Sequence, residues 1–553
     1  GIVIKFDFAD PLFMDVETPD GDAIIPTVGD DTPLLVKGAP SLTKSAVAIM
    51  IDGQSNTACE VLNSTYTDYT DIVIAPSKGN VFRNVEPSDL EFVKGPQYDV
   101  DEFYPQNLAT LNTPYIQRGV RGQSVWVYPM QYNPIQKILR VYSSITMRVI
   151  EIEGESENKL ASGSTARITP ELNDAFAHRF INSQTVSSRY DYIEDHGKLI
   201  VITDPIYDEV LAPFIQWKIE KGLETEVVYA DDIGGVNAIK NFLADEYQNN
   251  SITHVIIAGD EDQIPSEIVT NGGGTGYCDP CYSYVEGNDH YPEFFVGRMI
   301  THNVSEMESV VERHLSYEKA PFMGENWFND GVGIGSNEGQ GIGDDGQSDW
   351  QHQNAIKDLL LAYGFDQVWE VYEGSQAGSS VSSDGTQDEN GNPNSGDMIT
   401  IVNKGQTIIN YCGHGYHEGV ATSGFDVDAI EDLNNNGMYP LFLAVACCVG
   451  DFDEGEGSGD CMGEVWAKAT NSNGDAIGGI GGAFSSVLQS WAPPMEGQDE
   501  MNNLIVEQGA FDIRHTTGSI ITHGCCSMND EYGSDGDEMT DTWCIFGDPS
   551  TVL

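Results

Sequence analysis

The sequence runs to 553 residues and carries 26 Lys plus Arg against 87 Asp plus Glu, a formal net charge of -61. A surface this acidic repels polyanions, which excludes nucleic acid and anionic membranes as favoured partners. The longest strongly apolar run, around residues 439–449, is too short to span a bilayer.

The chain is long enough for two to four domains with substantial cores. Its first residues, Gly1-Ile-Val-Ile-Lys-Phe6, lack the basic start and cleavage site of a leader peptide. The expectation is a numbering that begins after a removed leader, and a secreted or extracellular protein. Residues 1–189 read as all-β. Alternating stretches such as Ser124-Val-Trp-Val-Tyr-Pro-Met130 and the run over 138–150 are separated by Gly, Pro and Asn turns. A polar segment over 154–169 precedes a short helical run over 170–180.

From Gly197 the pattern changes to strand–helix alternation. Leu199-Ile-Val-Ile202 is followed by a helix over 208–221, a strand over 224–229, a helix over 236–247 and His254-Val-Ile-Ile-Ala-Gly259. After Gly331 the rhythm resumes with a strand at Val332, a helix over 349–363 and Gln367-Val-Trp-Glu-Val-Tyr372. Two buried strands follow over 406–412 and 439–446, then helices over 462–469 and 498–508. The reading is α/β, with doubly wound sub-domains over 190–330 and 331–553 behind the β-domain.

The two strands over 406–412 and 439–446 carry the chemistry. In open α/β sheets, reactive groups collect beyond the carboxyl ends of the strands. The first strand runs into Gly413-His414-Gly415 and the second into Ala446-Cys447-Cys448. A thiol and an imidazole at neighbouring strand ends form a candidate nucleophile–base pair. The ten cysteines also include Cys278-Asp-Pro-Cys281, which lacks a second Cys or His pair for zinc and reads as a loop disulfide or two free thiols.

The dyad and its spacing resemble the caspase-like cysteine peptidases. Longer segments are similar to the gingipains, and most of all to the arginine-specific ones: Ser336-Asn-Glu-Gly339, Gln347-Ser-Asp-Trp-Gln-His352, the stretch from Gln489 through Trp491 to Met501, and Asp541-Thr-Trp-Cys-Ile-Phe-Gly-Asp-Pro-Ser550. The resemblance covers roughly residue 190 to the C-terminus, and more weakly the N-terminal region. It implies a caspase-like catalytic domain behind an inhibitory prodomain, acting as a self-processing cysteine endopeptidase that cleaves after arginine.

Carried over residue by residue, the resemblance makes Cys447 the nucleophile, His414 the proton carrier and Glu338 the carboxylate orienting it. Gly415 and Cys447 would supply oxyanion-hole N–H groups. Cys448 stays open as nucleophile, because some relatives react through the second of two cysteines. Asp349 matches the acid that pairs with a P1 arginine, while Trp491, Met495 and Cys412 match its surroundings. An alternative role for Asp349 is helix N-cap. Asp260, Glu286, Asp289, Tyr291 and Glu293 resemble a structural Ca2+ site, and no organic cofactor is implied. Arg189-Tyr190 resembles a maturation junction. Arg118 or Arg121 could supply an inhibitory arginine to the Asp349 pocket. The expected partners are peptide substrates with P1 Arg and the chain's own prodomain. Two other readings are a lysine-specific peptidase and a non-enzymatic, calcium-stabilised surface adhesin that keeps a peptidase fold.

Overall fold

The computed structural model describes residues 1–553 except 30, 162–167, 184–196, 320, 322–326, 377–391, 454–458 and 508–513. The proposed junction at Arg189 and Tyr190 lies outside the described residues. The N-terminal region is β-rich, as its alternation demands. One sheet joins Ile2–Asp7, Ile138–Ile152 and Met130–Asn133, with Asn56–Tyr69 also paired to Ile138–Ile152. A second joins Thr32–Pro33, Thr43–Met50, Val120–Val127 and Ala109–Leu111, with Tyr115–Gln117 paired to Val120–Val127. Their facing residues, among them Ile4, Phe6, Ile49, Val125, Ile145 and Met147, form one apolar core. The helix Pro170–Arg179 follows, capped by Thr169, whose hydroxyl accepts the Leu172 N–H at 3.3 Å.

The rest is organised by one ten-stranded sheet. Its strands in chain order are β1 Lys198–Thr203, β2 Glu224–Tyr229, β3 His254–Ala258, β4 Phe295–Met299, β5 Asp330–Gly335, β6 Gln367–Tyr372, β7 Ile408–Cys412, β8 Leu441–Val445, β9 Gly481–Ser485 and β10 Trp543–Gly547. The spatial order is β2-β1-β3-β4-β10-β9-β8-β7-β5-β6. All pairs are parallel except β9–β10. The two sub-domains therefore share a sheet. The antiparallel step at β9–β10 makes the strands of β5–β9 run opposite to β1–β4, so the carboxyl ends of the two halves lie on opposite edges.

Both faces of the sheet are covered, which explains the near-continuous apolar strands. Along β7 and β8, Ile409, Tyr411, Phe442 and Ala444 enter one core, while Ile408, Cys412, Leu441, Leu443 and Val445 enter the other. Strand order reverses at β5, with β6 on one side and β7 on the other. A crevice at that reversal is where open α/β sheets place reactive groups. The helix expected over 498–508 begins earlier, at Pro493, and ends at Ile505. Among the described residues, the longest helices that went unanticipated are Val304–Lys319, Thr517–Tyr532 and Ser534–Thr542, and Ser395–Val402 and two shorter ones were also missed. Thr517–Tyr532 is buried on nearly every side, so it carries no amphipathic stripe to detect. Cys278 and Cys281 form a disulfide.

Candidate active site

The site lies at the carboxyl ends of β5, β7 and β8. Beyond β5, Ser336 and Glu338 turn toward the start of helix Asp349–Tyr363, with the Asp349 N–H donating to Glu338 O at 3.0 Å. Beyond β7, Gly413 N–H donates to Val445 O at 3.1 Å and carries the ladder on to His414. The His414 Nε2 meets Glu338 Oε2 at 2.6 Å. That contact pushes the imidazole up from its ordinary pKa and holds the Glu338 carboxyl below its own. The edge of the ring lies against Trp491, with centroids 5.7 Å apart.

Beyond β8, Cys447 is buried, and burial pushes its thiol up; N–H groups of Gln489 and Gly415 directed at the sulfur oppose that shift. The Gln489 N–H approaches Sγ at 3.4 Å. Gly415 must be glycine here, since a Cβ would sit 2.7 Å from Cys447 O and 2.9 Å from Cys447 N. Cys448 turns away in a left-handed conformation, φ 58°, and its N–H donates to Val487 O at 3.0 Å. Burial pushes its thiol up to about 12. The chain reverses between the two cysteines, which places them in different surroundings.

Asp349 stands on the first turn of its helix, fully buried. Ser348, not Asp349, is the N-cap, and the Gln351 side chain reaches back to the Ser348 N–H at 3.0 Å. The Asp349 carboxylate is thereby free to face the crevice, where the helix dipole favours its charge. Its Oδ2 accepts from Ser336 Oγ at 2.6 Å and its Oδ1 from the Cys412 thiol at 3.1 Å.

The pocket is filled by an arginine from the N-terminal region, Arg83. Its Nη1 donates to both carboxylate oxygens of Asp349, at 3.0 and 3.1 Å. Its Nη2 donates to Cys412 Sγ and to Trp491 O, both at 3.1 Å. The guanidinium lies 4.4 Å from the Trp491 ring, in cation–π range. Burial opposes this charge, and Asp349 more than offsets it, so the guanidinium holds its proton more firmly than usual. The backbone docks as well: Arg83 N–H donates to Gln489 O and Trp491 N–H to Val81 O, each at 2.8 Å, as in a short antiparallel strand. Met495 is buried at the start of helix Pro493–Ile505, beside Gly343.

The arginine expectation is therefore corrected. Neither Arg118 nor Arg121 enters the pocket. Arg118 is buried and donates to Ile252 O, Glu293 O and Ser251 O at 2.7, 2.6 and 3.1 Å. It pins the N-terminal region to the opposite half of the sheet. Arg121 donates to Asp52 O, Ser55 O and Asn158 O inside its own domain. Sequence reasoning passed over Arg83 and its neighbour Glu86, whose Oε1 lies 3.6 Å from His414 Nε2. One signal was available: Phe82-Arg83-Asn84 is an arginine next to a large apolar residue in a chain poor in basic residues.

The expected cation site is also corrected in one member. β3 and β4 pair with His254 opposite Phe295. Asp260 lies past the carboxyl end of β3 and Glu293 before the amino end of β4, on the order of 20 Å apart at about 3.3 Å per residue. Asp260 instead bonds His302 Nδ1 at 2.9 Å. Asp289 and Glu286 stand near enough to Glu293 for their charges to act on it. Burial pushes the Asp289 carboxyl up to about 7 and raises Glu293 strongly. One Glu293 oxygen, Oε1, is buried without a hydrogen-bond partner. Such a group fits a hard cation.

Comparison with known proteins gives the chain's family. Residues 192–553 match Peptidase family C25, and residues 1–166 match the propeptide of that family. The chain belongs to peptidase family C25. It is 34% identical to gingipain R1 of Porphyromonas gingivalis over 557 residues, covering 100% of this chain and 53% of that protein. It is 33% identical to gingipain R2 of the same organism, covering 72% of that protein. The chain thus spans about half the length of gingipain R1. Its fold is similar to a solved complex of the pro- and mature domains of Porphyromonas gingivalis RgpB, at 33% identity and a TM-score of 0.58 over 65% of this chain and 80% of that one. The C25 propeptide match assigns Arg83 to the propeptide and Asp349 to the peptidase domain.

Cys447→Ala should lower peptide hydrolysis by on the order of 10⁴-fold or more, whereas Cys448→Ala should keep most of it. Steady-state kinetics of the two variants after removal of the propeptide checks this. Full activity in Cys447→Ala would move the nucleophile to Cys448.

Proposed function

We propose that this chain is a latent cysteine endopeptidase that cleaves after arginine. One observation carries the reading: a propeptide arginine lies fully buried, with one guanidinium nitrogen on both oxygens of Asp349 and the other on Trp491 O and Cys412 Sγ, beside the Cys447 thiol. A planar guanidinium spreads its donors over separate nitrogens, so one engages the carboxylate while the other reaches Trp491 O and Cys412 Sγ, and the single nitrogen of a lysine ammonium does not reproduce that set. Trp491 adds a face for the cation and a carbonyl for the second nitrogen.

The chemistry follows from the strand ends. Cys447 Sγ attacks the carbonyl carbon of the P1 residue, and a new S–C bond forms as the C–N bond breaks. His414, held through Nε2 by Glu338, passes a proton from its other nitrogen to the departing amine. The N–H groups of Gly415 and Cys447 stabilise the oxyanion. Water then cleaves the thioester and restores the thiol. The propeptide strand at residues 81–83 occupies the substrate path, which accounts for latency. Release would follow cleavage after Arg189.

The buried acids Asp289 and Glu293, with Glu286 and Tyr291, would hold Ca2+ in a structural role. The disulfide Cys278–Cys281 favours an oxidising, extracellular compartment.

Asp349→Asn should cost about 3–5 kcal/mol of transition-state binding for arginyl substrates, on the order of 10²–10⁴-fold in kcat/KM. Wild type should prefer Arg over Lys at P1 strongly. A P1 substrate panel checks both, and equal turnover of Arg and Lys would place the pocket acid elsewhere. For the cation, added Ca2+ should raise the melting temperature and chelation lower it, with Glu293→Gln removing the difference. A melting curve indifferent to Ca2+ in wild type would remove that role.

A further inference from the structure

Arg83 docks like a substrate, yet latency requires the bond after it to survive. The explanation has to lie close to the dyad, and one propeptide side chain reaches it. Glu86, three residues past Arg83, places Oε1 3.6 Å from His414 Nε2, on the nitrogen that Glu338 already holds at 2.6 Å. One oxygen of each carboxyl and the imidazole nitrogen all lie within 4.8 Å of one another. Crowding does not force this meeting. Glu86, Pro87 and Ser88 line an open cavity of about 550 Å³, bounded on the peptidase side by residues 337–342. A glutamate in that position has room to turn to water and instead meets Glu338.

We propose that Glu86 is a second inhibitory residue, which clamps His414 between two carboxyl groups and so keeps the Arg83–Asn84 bond from being cut. The inference rests on the reading of Cys447 and His414 as a peptidase dyad. Acylation at Arg83 forms the Cys447 S–C bond, breaks the C–N bond to Asn84, and needs a proton delivered from His414 to the Asn84 nitrogen. A general acid works best when its pKa lies near the working pH. Glu338 raises the imidazole first, and Glu86 adds to it. The Glu86 carboxyl is itself raised, by partial burial and then by its hydrogen bond with Glu338, with Asp89 adding and His414 opposing. Arg83 opposes the two carboxyl groups at His414 by lowering it, and at Glu338 it acts with His414 and Glu86, which also lower that carboxyl. An imidazolium held by two acids surrenders its proton poorly, and the leaving amine stays bonded. Once the propeptide departs, Glu86 leaves with it and His414 returns to a single carboxylate partner.

The test uses the full chain and its Glu86→Gln variant, which keeps size and hydrogen-bonding capacity. Mass spectrometry follows the Arg83–Asn84 bond over time, at several protein concentrations and across pH. The expected result is cleavage of that bond at least about tenfold faster in Glu86→Gln, first order and independent of concentration. The alkaline limb of its pH–rate profile should also move to lower pH, because the imidazole loses its proton sooner. Equal rates and equal limbs would overturn the proposal. So would a Glu86→Gln chain that turns over added substrate while Arg83–Asn84 stays intact, since the contact would then serve docking alone. Failure of the underlying peptidase reading looks different: neither chain would cut any arginyl bond, even after the propeptide is removed.

Discussion

The structure turns on one buried ion pair. Arg83 and Asp349 are both fully enclosed, and a charge in that position is tolerable only because the other is there. Removing either leaves an uncompensated charge in a dry pocket. In the proposed reading the same logic makes the pocket selective, since an incoming side chain must supply a cation with matching geometry. It also makes the pocket self-blocking while the propeptide is attached. Ser336, Cys412 and the helix N-terminus hold the carboxylate in place before any arginine arrives, which lowers the ordering needed on binding.

The propeptide is held at more than this point, and its contacts suit a strongly acidic protein. Several charged contacts between the two regions are enclosed. Arg118 takes three carbonyls at the far half of the sheet. Arg179 meets Asp530 at 3.3 Å with both side chains nearly buried. His515 Nε2 meets Asp174 Oδ2 at 3.0 Å. Lys44 stacks over Trp126 and Tyr532. Each is worth more in such enclosed positions than the exposed pairs on the acidic surface, which are screened by salt.

Much of this was legible from residues alone. The strand ends of β7 and β8 were visible as short apolar runs that stop at Gly-His-Gly and Ala-Cys, and the helix start at Asp349 was placed to the residue. What escaped the sequence depended on long-range arrangement. Arg83 sits in a segment without a regular element, and its role appears only when residues 81–83 pair with 489–491. Asp260 was grouped with Glu293 on the resemblance to a calcium site of the family, but the register of β3 against β4 puts them at opposite ends. Helix Thr517–Tyr532 is rich in Thr, Ser, Gly, Cys and Asn and buried all round, so neither periodicity nor propensity marked it. The single sheet was hidden because β10, the last strand in the chain, inserts between β4 and β9 and joins two halves that are far apart in sequence.

The central claim is that Arg83 in the Asp349 pocket keeps the chain latent. The most direct measurement is the initial rate of arginyl-peptide hydrolysis by the intact Arg83→Ala chain against intact wild type, with chain integrity followed on the same samples. The account predicts that Arg83→Ala hydrolyses substrate from the first time point while still uncut, and that wild type does so only after a lag. An intact Arg83→Ala chain as silent as wild type would contradict it.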